Sequence, residues 1–570
     1  MSELALKLIT KAKQNRSTSL DLANCNLNRL PSTLFELDWL EELILSDAQN
    51  WDNKQQKYVG FKSQNRGAPN CVILRADDLS RLTSLKRLVA WHQGLNDISP
   101  LSVLTNLVNL ELSGNGFSDI SPLKTLTKLT TLRLDYNEIS DISPLAHLTN
   151  LTSLILTRNQ VTDITPLAAL SRLTDLKMDF NQVKDISSLS TLTNLTSLEL
   201  PYNQISDVSP LATLTNLTCL NVLGNRISDV LSLSVLTGLE TLNLFHNQIY
   251  DVTPLSTLTK LTALDIEDNQ IIDVSPLAAL TNLTSLNLAT NKINDISPLA
   301  HLTNLTFLHL YGNKVHDLSA LTHLTGLTDL LLGENRVNNI APLATLTNLT
   351  YLNLFDNQVR DISPLADLTG LTDLNLSDNR IRDITPLSNL TGLTTLDIGF
   401  NQVDDIAALA SLAQLNALRL YCNELNDIKP LANLTRLTFL NLSSNQINNI
   451  SPLSVLTNLT SLDLSDNKIS DISPLTTLTK LTNLDLYDIQ IVGFSVLAYL
   501  TQLERLSISD NHALHSLQDF IPLIKKGLQV STNSESETGL IIEDCTITDP
   551  PPAIIKQGNA AILAYFKQKN

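Results

Sequence analysis

The chain has 570 residues, 43% of them hydrophobic but only 4% aromatic, and a formal net charge of −18. An acidic balance argues against a nucleic-acid partner, whose phosphates call for a basic surface. No apolar run approaches the ~18–20 residues that cross a bilayer, and the opening MSELALKLITKAKQN lacks the apolar core of a secretory signal, so no membrane association is expected.

In chain order, residues 3–15 carry apolar side chains at 4, 5, 8, 9 and 12, a helical spacing. A helix capping the first coil is therefore expected over 1–16. Two irregular segments follow, Leu20-Asp21-Leu22 and Leu43-Ile44-Leu45. Residues 49–71 then break the rhythm with a polar, basic insert containing Trp51, Tyr58 and Phe61. Basic residues interleaved with aromatics have two readings: a loop folded back on its own domain, or a binding loop. From about 85 to 511 the chain repeats one 22-residue sentence, such as LTTLRLDYNEISDISPLAHLTN at 129–150. An asparagine recurs in strict register from Asn115, Asn137 and Asn159 to Asn467, seventeen times. Gln93 stands one period earlier, Ile489 interrupts the series and Asn511 resumes it. Residues 512–538 are less regular, Leu540-Ile541-Ile542 reads as one last strand, and a proline stop and helix are expected over 549–570.

A period of 20–29 residues with the pattern LxxLxLxxN is the signature of a leucine-rich repeat. Each part has a physical role. Leu132 and Leu134 alternate with Arg133, the two-residue period of a strand with one buried face. The asparagine lies in the turn after the strand, where its amide can bond the backbone of its own and the next coil. Ser143-Pro144 and Thr165-Pro166 read as an N-cap followed by proline in a first helical turn. Only about six residues remain before the next strand, so the return leg should be 3₁₀ rather than α. Fifteen of the seventeen regular repeats place Asp four residues after the asparagine, Asn339 and Asn449 being the exceptions, so much of the acidity caps turns. The expected fold class is α/β: a leucine-rich repeat solenoid, or horseshoe, with a concave parallel sheet, a convex side of short 3₁₀ turns and about 22–24 strands over 17–548.

The regular coils, LTNLTxLxLxxNQIxDIxPLAx, resemble those of internalins and of the leucine-rich arms of bacterial Roco proteins. The tail, Asp549-Pro550-Pro551-Pro552-Ala553-Ile554-Ile555-Lys556-Gln557-Gly558-Asn559 followed by Ala561 to Phe566, resembles the connector that leads a Roco repeat array into its GTPase domain. The opening from Leu8 to Leu45 resembles the start of such arrays. No GxxxxGK[ST] loop is present, so these residues contain no such GTPase. The resemblance implies a sensing arm with a GTPase partner, in cis or in trans through the C-terminal helix. A secreted adhesin of the internalin kind is the alternative, and it would need an export signal.

No catalytic constellation is legible, and neither enzymatic activity nor a cofactor is expected. The nine histidines are scattered, and Asp463, Asp466 and Asp471 lack the glycine and closing glutamate of a calcium loop. The five cysteines are odd in number and without CxxC spacing, which fits a cytoplasmic protein. Cys25 and Cys545 occupy asparagine positions, and Cys71, one period before Gln93, is expected to do likewise. Aromatics instead gather at the variable outward positions of the strands. Tyr136, Phe180, Tyr202, Leu223, Phe245, His246, Tyr311, Phe355, Phe400 and Tyr421 are the candidate contacts for a protein partner on the concave face, since exposed Tyr and Phe anchor protein interfaces.

Overall fold

The computed structural model describes residues 2–52, 57–72, 81–491, 493–533 and 536–569, without the side chains of 48–52 and 57–61. It divides into two compact units, Met1–Leu283 and Thr284–Asn570. The first holds eleven parallel strands, from Ser19–Asp21 to Ala263–Asp265, and an antiparallel hairpin; the second holds thirteen, from Ser285–Asn287 to Gly539–Ile541. Among the described residues the parallel strands thus number 24, at the upper end of the sequence expectation.

Each regular strand is only three residues long, and its partner lies 22 residues on: Leu132 pairs with Leu154, and Leu154 with Leu176. Leucine therefore stacks on leucine at every level. Leu129, Leu132, Leu134, Ile139, Ile142, Leu145 and Leu148 are all buried within one coil. A lone coil would leave much of this surface in water. Stacking removes it at about 25 cal/mol per Å² of apolar area. The return legs are 3₁₀ turns such as Ser143–His147, with proline at a first-turn position where its missing N–H costs no bond.

Two local expectations need correction. The serine or threonine before the proline makes no side-chain cap. The capping oxygen belongs to the aspartate two residues earlier: Asp141 Oδ1 accepts from the Ser143 N–H at 2.8 Å, and Asp163 Oδ1 from Thr165 at 2.8 Å. Asn339 and Asn449 make the same bond, to Ala341 and Ser451 at 3.0 and 2.9 Å, so all seventeen coils use one Asx turn. The asparagine ladder also runs the other way. Asn159 Nδ2 donates to Leu156 O in its own coil and to Leu134 O in the preceding one, while its Oδ1 accepts from Ile139 N of that preceding coil. The link goes back, not forward.

At the N-terminus, helix Glu3–Gln14 buries Ala5, Ile9 and Ala12, with Ser2 at its N-cap, Glu3 in the first turn and Lys11 and Lys13 in the last. The insert begins as the hairpin Ala48–Asp52 with Lys57–Phe61; Trp51, Tyr58 and Phe61 have side chains outside the described part. Its end folds back on the first coil. Ser63 Oγ donates to Asp21 Oδ2 at 2.6 Å and Asn65 Nδ2 to Ala23 O at 2.9 Å. The ladder role expected of Cys71 falls to its neighbour. Buried Asn70 accepts from Cys25 N and Leu27 N and donates to Leu22 O and Leu45 O, whereas Cys71 is exposed. An amide has the donors and acceptor this position uses, and a thiol does not.

At the other end, Ile489 is buried in the ladder gap and Asn511 resumes the bonding, donating to Leu486 O at 2.8 Å. Helix Asn559–Lys569 packs on the closing segments. Ile562 and Phe566 are buried, Asn559 bonds Leu528 O and Val530 N, and Asp549 accepts from Tyr565 Oη at 2.9 Å and Lys569 Nζ at 2.8 Å.

Candidate interaction surface

Between the inward leucines and the ladder asparagine, each coil offers four outward positions. The last of them, directly before the asparagine, is conformationally special. It takes a left-handed backbone, because the chain must turn sharply to bring the amide inward. Glycine suits it, as at Gly114, Gly224 and Gly312. Tyr136, Phe180, Tyr202, His246 and Phe400 adopt it with φ between 49° and 58°. Bulky side chains are costly there, and such strain concentrates where a side chain has a use beyond folding.

Four successive coils in the first unit combine these residues into one stack. The Arg158 guanidinium lies 5.4 Å from the Tyr136 ring centre and 4.3 Å from that of Phe180. Phe180 stacks on Tyr202 with centroids 4.4 Å apart and an interplanar angle of 19°. Tyr202 in turn covers Gly224, where a Cβ would come within 2.6 Å of its ring. Tyr136, Phe180 and Tyr202 remain 53%, 40% and 42% exposed. Arg158 was not among the sequence candidates. Its signal was position alone: it directly precedes Asn159, in the column of Tyr136 and Phe180.

The other candidates form smaller groups. Half-buried Phe245 tilts against His246 at 5.9 Å, and His246 Nδ1 meets Asp268 at 2.5 Å. In the second unit Tyr311 packs over Gly333 and donates to Glu334, which pushes its hydroxyl pKa up to about 12. Phe400 meets Tyr421 edge-on at 5.2 Å, and Tyr421 lies over Gly399. Leu223 and Phe355 are half-buried in outward positions and take part in no ring pair among the described residues. In the coils of Phe180 and Tyr202, Lys177 binds Glu199 at 2.8 Å, and burial, followed by the Glu199 charge, pushes the Asp179 carboxyl up to about 7.

No group of three or more His, Cys, Asp or Glu side chains converges as a metal site among the described residues. Asp463 and Asp471, part of the calcium-like run, accept from Ser465 and Ser473 in their own turns.

Stacked three-residue strands, 3₁₀ returns and an asparagine ladder define a parallel repeat solenoid with one variable outward face. The chain belongs to the leucine-rich repeat family: the model for "Leucine Rich repeats (2 copies)" matches residues 105–147, 149–192, 193–235, 237–279, 281–323, 325–367, 369–411 and 457–499. No curated protein matches the chain. Among solved structures, an internalin (InlF) from Listeria monocytogenes is 33% identical, with 64% of this chain and 88% of that one covered and a TM-score of 0.37. A leucine-rich repeat protein of Leptospira interrogans is 22% identical over 71% of this chain and 97% of its own, with a TM-score of 0.53. The plant peptide hormone receptor RGFR1, in complex with RGF2, is 21% identical over 93% and 86%, with a TM-score of 0.67. These last two likenesses concern the fold.

Proposed function

We propose that the protein is a non-enzymatic interaction scaffold that binds a protein partner on the outward face of its strands. The first-unit stack of Tyr136, Arg158, Phe180 and Tyr202 carries this reading. It is exposed, it adds nothing to the leucine core, and it holds three aromatic rings in a backbone conformation that disfavours them. Aromatic rings and arginine are the residue types that most often anchor protein interfaces. The rings are already ordered by stacking, so little side-chain entropy is lost on binding. The peptide complex of RGFR1 is a precedent for a ligand bound by this fold. Leu223, Phe245 and His246 extend the proposed surface in the first unit, and Tyr311, Phe355, Phe400 and Tyr421 form its counterpart in the second. The test is capture of interacting proteins from the protein's own cells by native chain and by a Tyr136→Ala/Phe180→Ala/Tyr202→Ala variant; equal capture by both would refute the assignment.

The finer reading is a cytoplasmic sensing arm of the Roco kind, working with a GTPase. Its support is the sequence of 549–566 and the docked helix Asn559–Lys569, which would carry structural change from the last coil to a following or bound domain. All five cysteines are free, which suits a reducing compartment. No described helix is long and apolar enough to cross a membrane. The mass of the protein in its own cells, read with an antibody against the repeats, tests this arm. A species much larger than 62.7 kDa containing a GTPase would support it, and so would a GTPase co-purifying with a 62.7 kDa chain. A chain of that mass free of any GTPase would contradict it.

A further inference from the structure

The flank after the ladder asparagine is a second surface, and in the second unit its chemistry changes. In every regular coil the first and third residues after the asparagine are outward, on either side of a buried Ile, Val or Leu (Phe117 in the first). In the five coils of Asn291, Asn313, Asn335, Asn357 and Asn379 these ten positions hold Lys292, Lys314, Arg336, Arg360, Arg380 and Arg382, with His316 among them and no acid. The twenty-four matching positions in the other twelve coils hold three cations and three acids. All six cations are exposed. Arg382 pairs with Asp404 at 2.7 Å, while the other five form no ion pair among the described residues. On a chain of net charge −18, these two columns carry cations and no acid, a local positive excess bordered by the acids of the neighbouring columns.

The strip is held in register by the backbone. Lys314 N donates to Ile293 O at 2.8 Å, Arg336 N to Val315 O at 2.9 Å, and Arg380 N to Val359 O at 2.9 Å. Each intervening apolar residue also donates its N–H to the next ladder asparagine, as Val337 does to Asn357 Oδ1 at 2.9 Å. The side chains thus rise from fixed points spaced about one strand separation apart, ~4.8 Å. The Asx-turn aspartates lie beside them: Asp295, Asp317, Asp361 and Asp383 each accept an N–H two residues on, and Asn339 replaces the carboxylate at the middle coil.

We propose that this strip docks an acidic segment of a protein partner, independently of the aromatic face. Acidic side chains three or four residues apart on a helix rise ~4.5–6 Å per step, close to the coil spacing. Spaced cations complement the spaced acids of such a segment better than the continuous charge of a nucleic acid. The carboxylates between the cations leave places for discrete acidic side chains but oppose a continuous phosphate chain, and the strip holds no Phe, Tyr or Trp on which bases could stack.

The test is fluorescence-anisotropy titration of the full chain with an alanine-based peptide carrying glutamate every three or four residues. The native chain should bind it, and added salt should weaken the binding as the charges are screened. Lys314→Gln/Arg336→Gln/Arg360→Gln/Arg380→Gln should lose about tenfold or more in affinity, with an unchanged circular-dichroism melt, because every altered group is exposed. The Tyr136→Ala/Phe180→Ala/Tyr202→Ala variant should bind the peptide as the native chain does. No binding by the native chain, undiminished binding by the glutamine variant, or tighter binding of a single-stranded oligonucleotide would overturn the proposal.

Discussion

Single residues in this fold divide sharply between architecture and display. Asn269 bonds Leu244 O, Ile266 O and Glu267 O through its amide and accepts from Ile249 N, in a buried site. Asn269→Ala should cost roughly 1–3 kcal/mol for each backbone group left unsatisfied, read as a lower urea midpoint. Gly224 is the opposite case, because its value is the side chain it lacks. It has φ +66°, and an added Cβ would press on the Tyr202 ring. Gly224→Ala should destabilise by about 1–2 kcal/mol from the left-handed backbone and disrupt the stack above it. Asp179 supplies a pH dependence of defined sign. Its folded pKa of about 7 lies above the ordinary 3.8, so the folded state binds the extra proton and the group lowers stability as pH rises between those values. Asp179→Asn should therefore melt above the native protein at pH 8, with the gap closing towards pH 4.

The elements were legible in the sequence to unequal depth. The asparagine register and the alternating leucines were enough to place the strands, because each coil's pattern is local and repeated. The 3₁₀ length of the return leg followed from counting residues. What escaped depends on contacts that spacing does not show. Asn70 rather than Cys71 completes the first ladder rung because the insert folds back across some forty-five residues to reach Cys25. Arg158 joins the aromatic stack because a shared left-handed position aligns side chains from different coils. The sequence points to Ser143 as the capping residue whereas the acceptor is Asp141, since both residue types favour turns and only geometry separates them. Asn339 and Asn449 show that an amide oxygen can take the carboxylate's place, so Asp361→Asn should lower the neutral-pH melt less than Asp361→Ala does. The carboxyls of Asp163, Asp185, Asp361 and Asp471 are held below their usual range, mainly by the N–H each accepts. Their contribution is full above the ordinary aspartate range and is lost as pH falls through the lowered values. A pH series of melts should show a cooperative loss of stability in the acid range.

At the scale of the molecule, one repeated coil builds surfaces with different chemistry by varying a few outward positions over a constant interior. The aromatic stack belongs to Met1–Leu283 and the cationic strip to Thr284–Asn570. The net charge of −18 conceals that strip, because most regular coils add one turn-capping aspartate whatever else they display. Removing the rings should therefore separate folding from recognition. The most direct measurement pairs a thermal melt with quantitative capture of partners from the protein's own cells, for native chain and for Tyr136→Ala/Phe180→Ala/Tyr202→Ala. Recognition through the outward face predicts a melting temperature within a few degrees of native and loss of the captured partner. A large drop in melting temperature, or capture equal to native, would instead place those rings in the service of the fold.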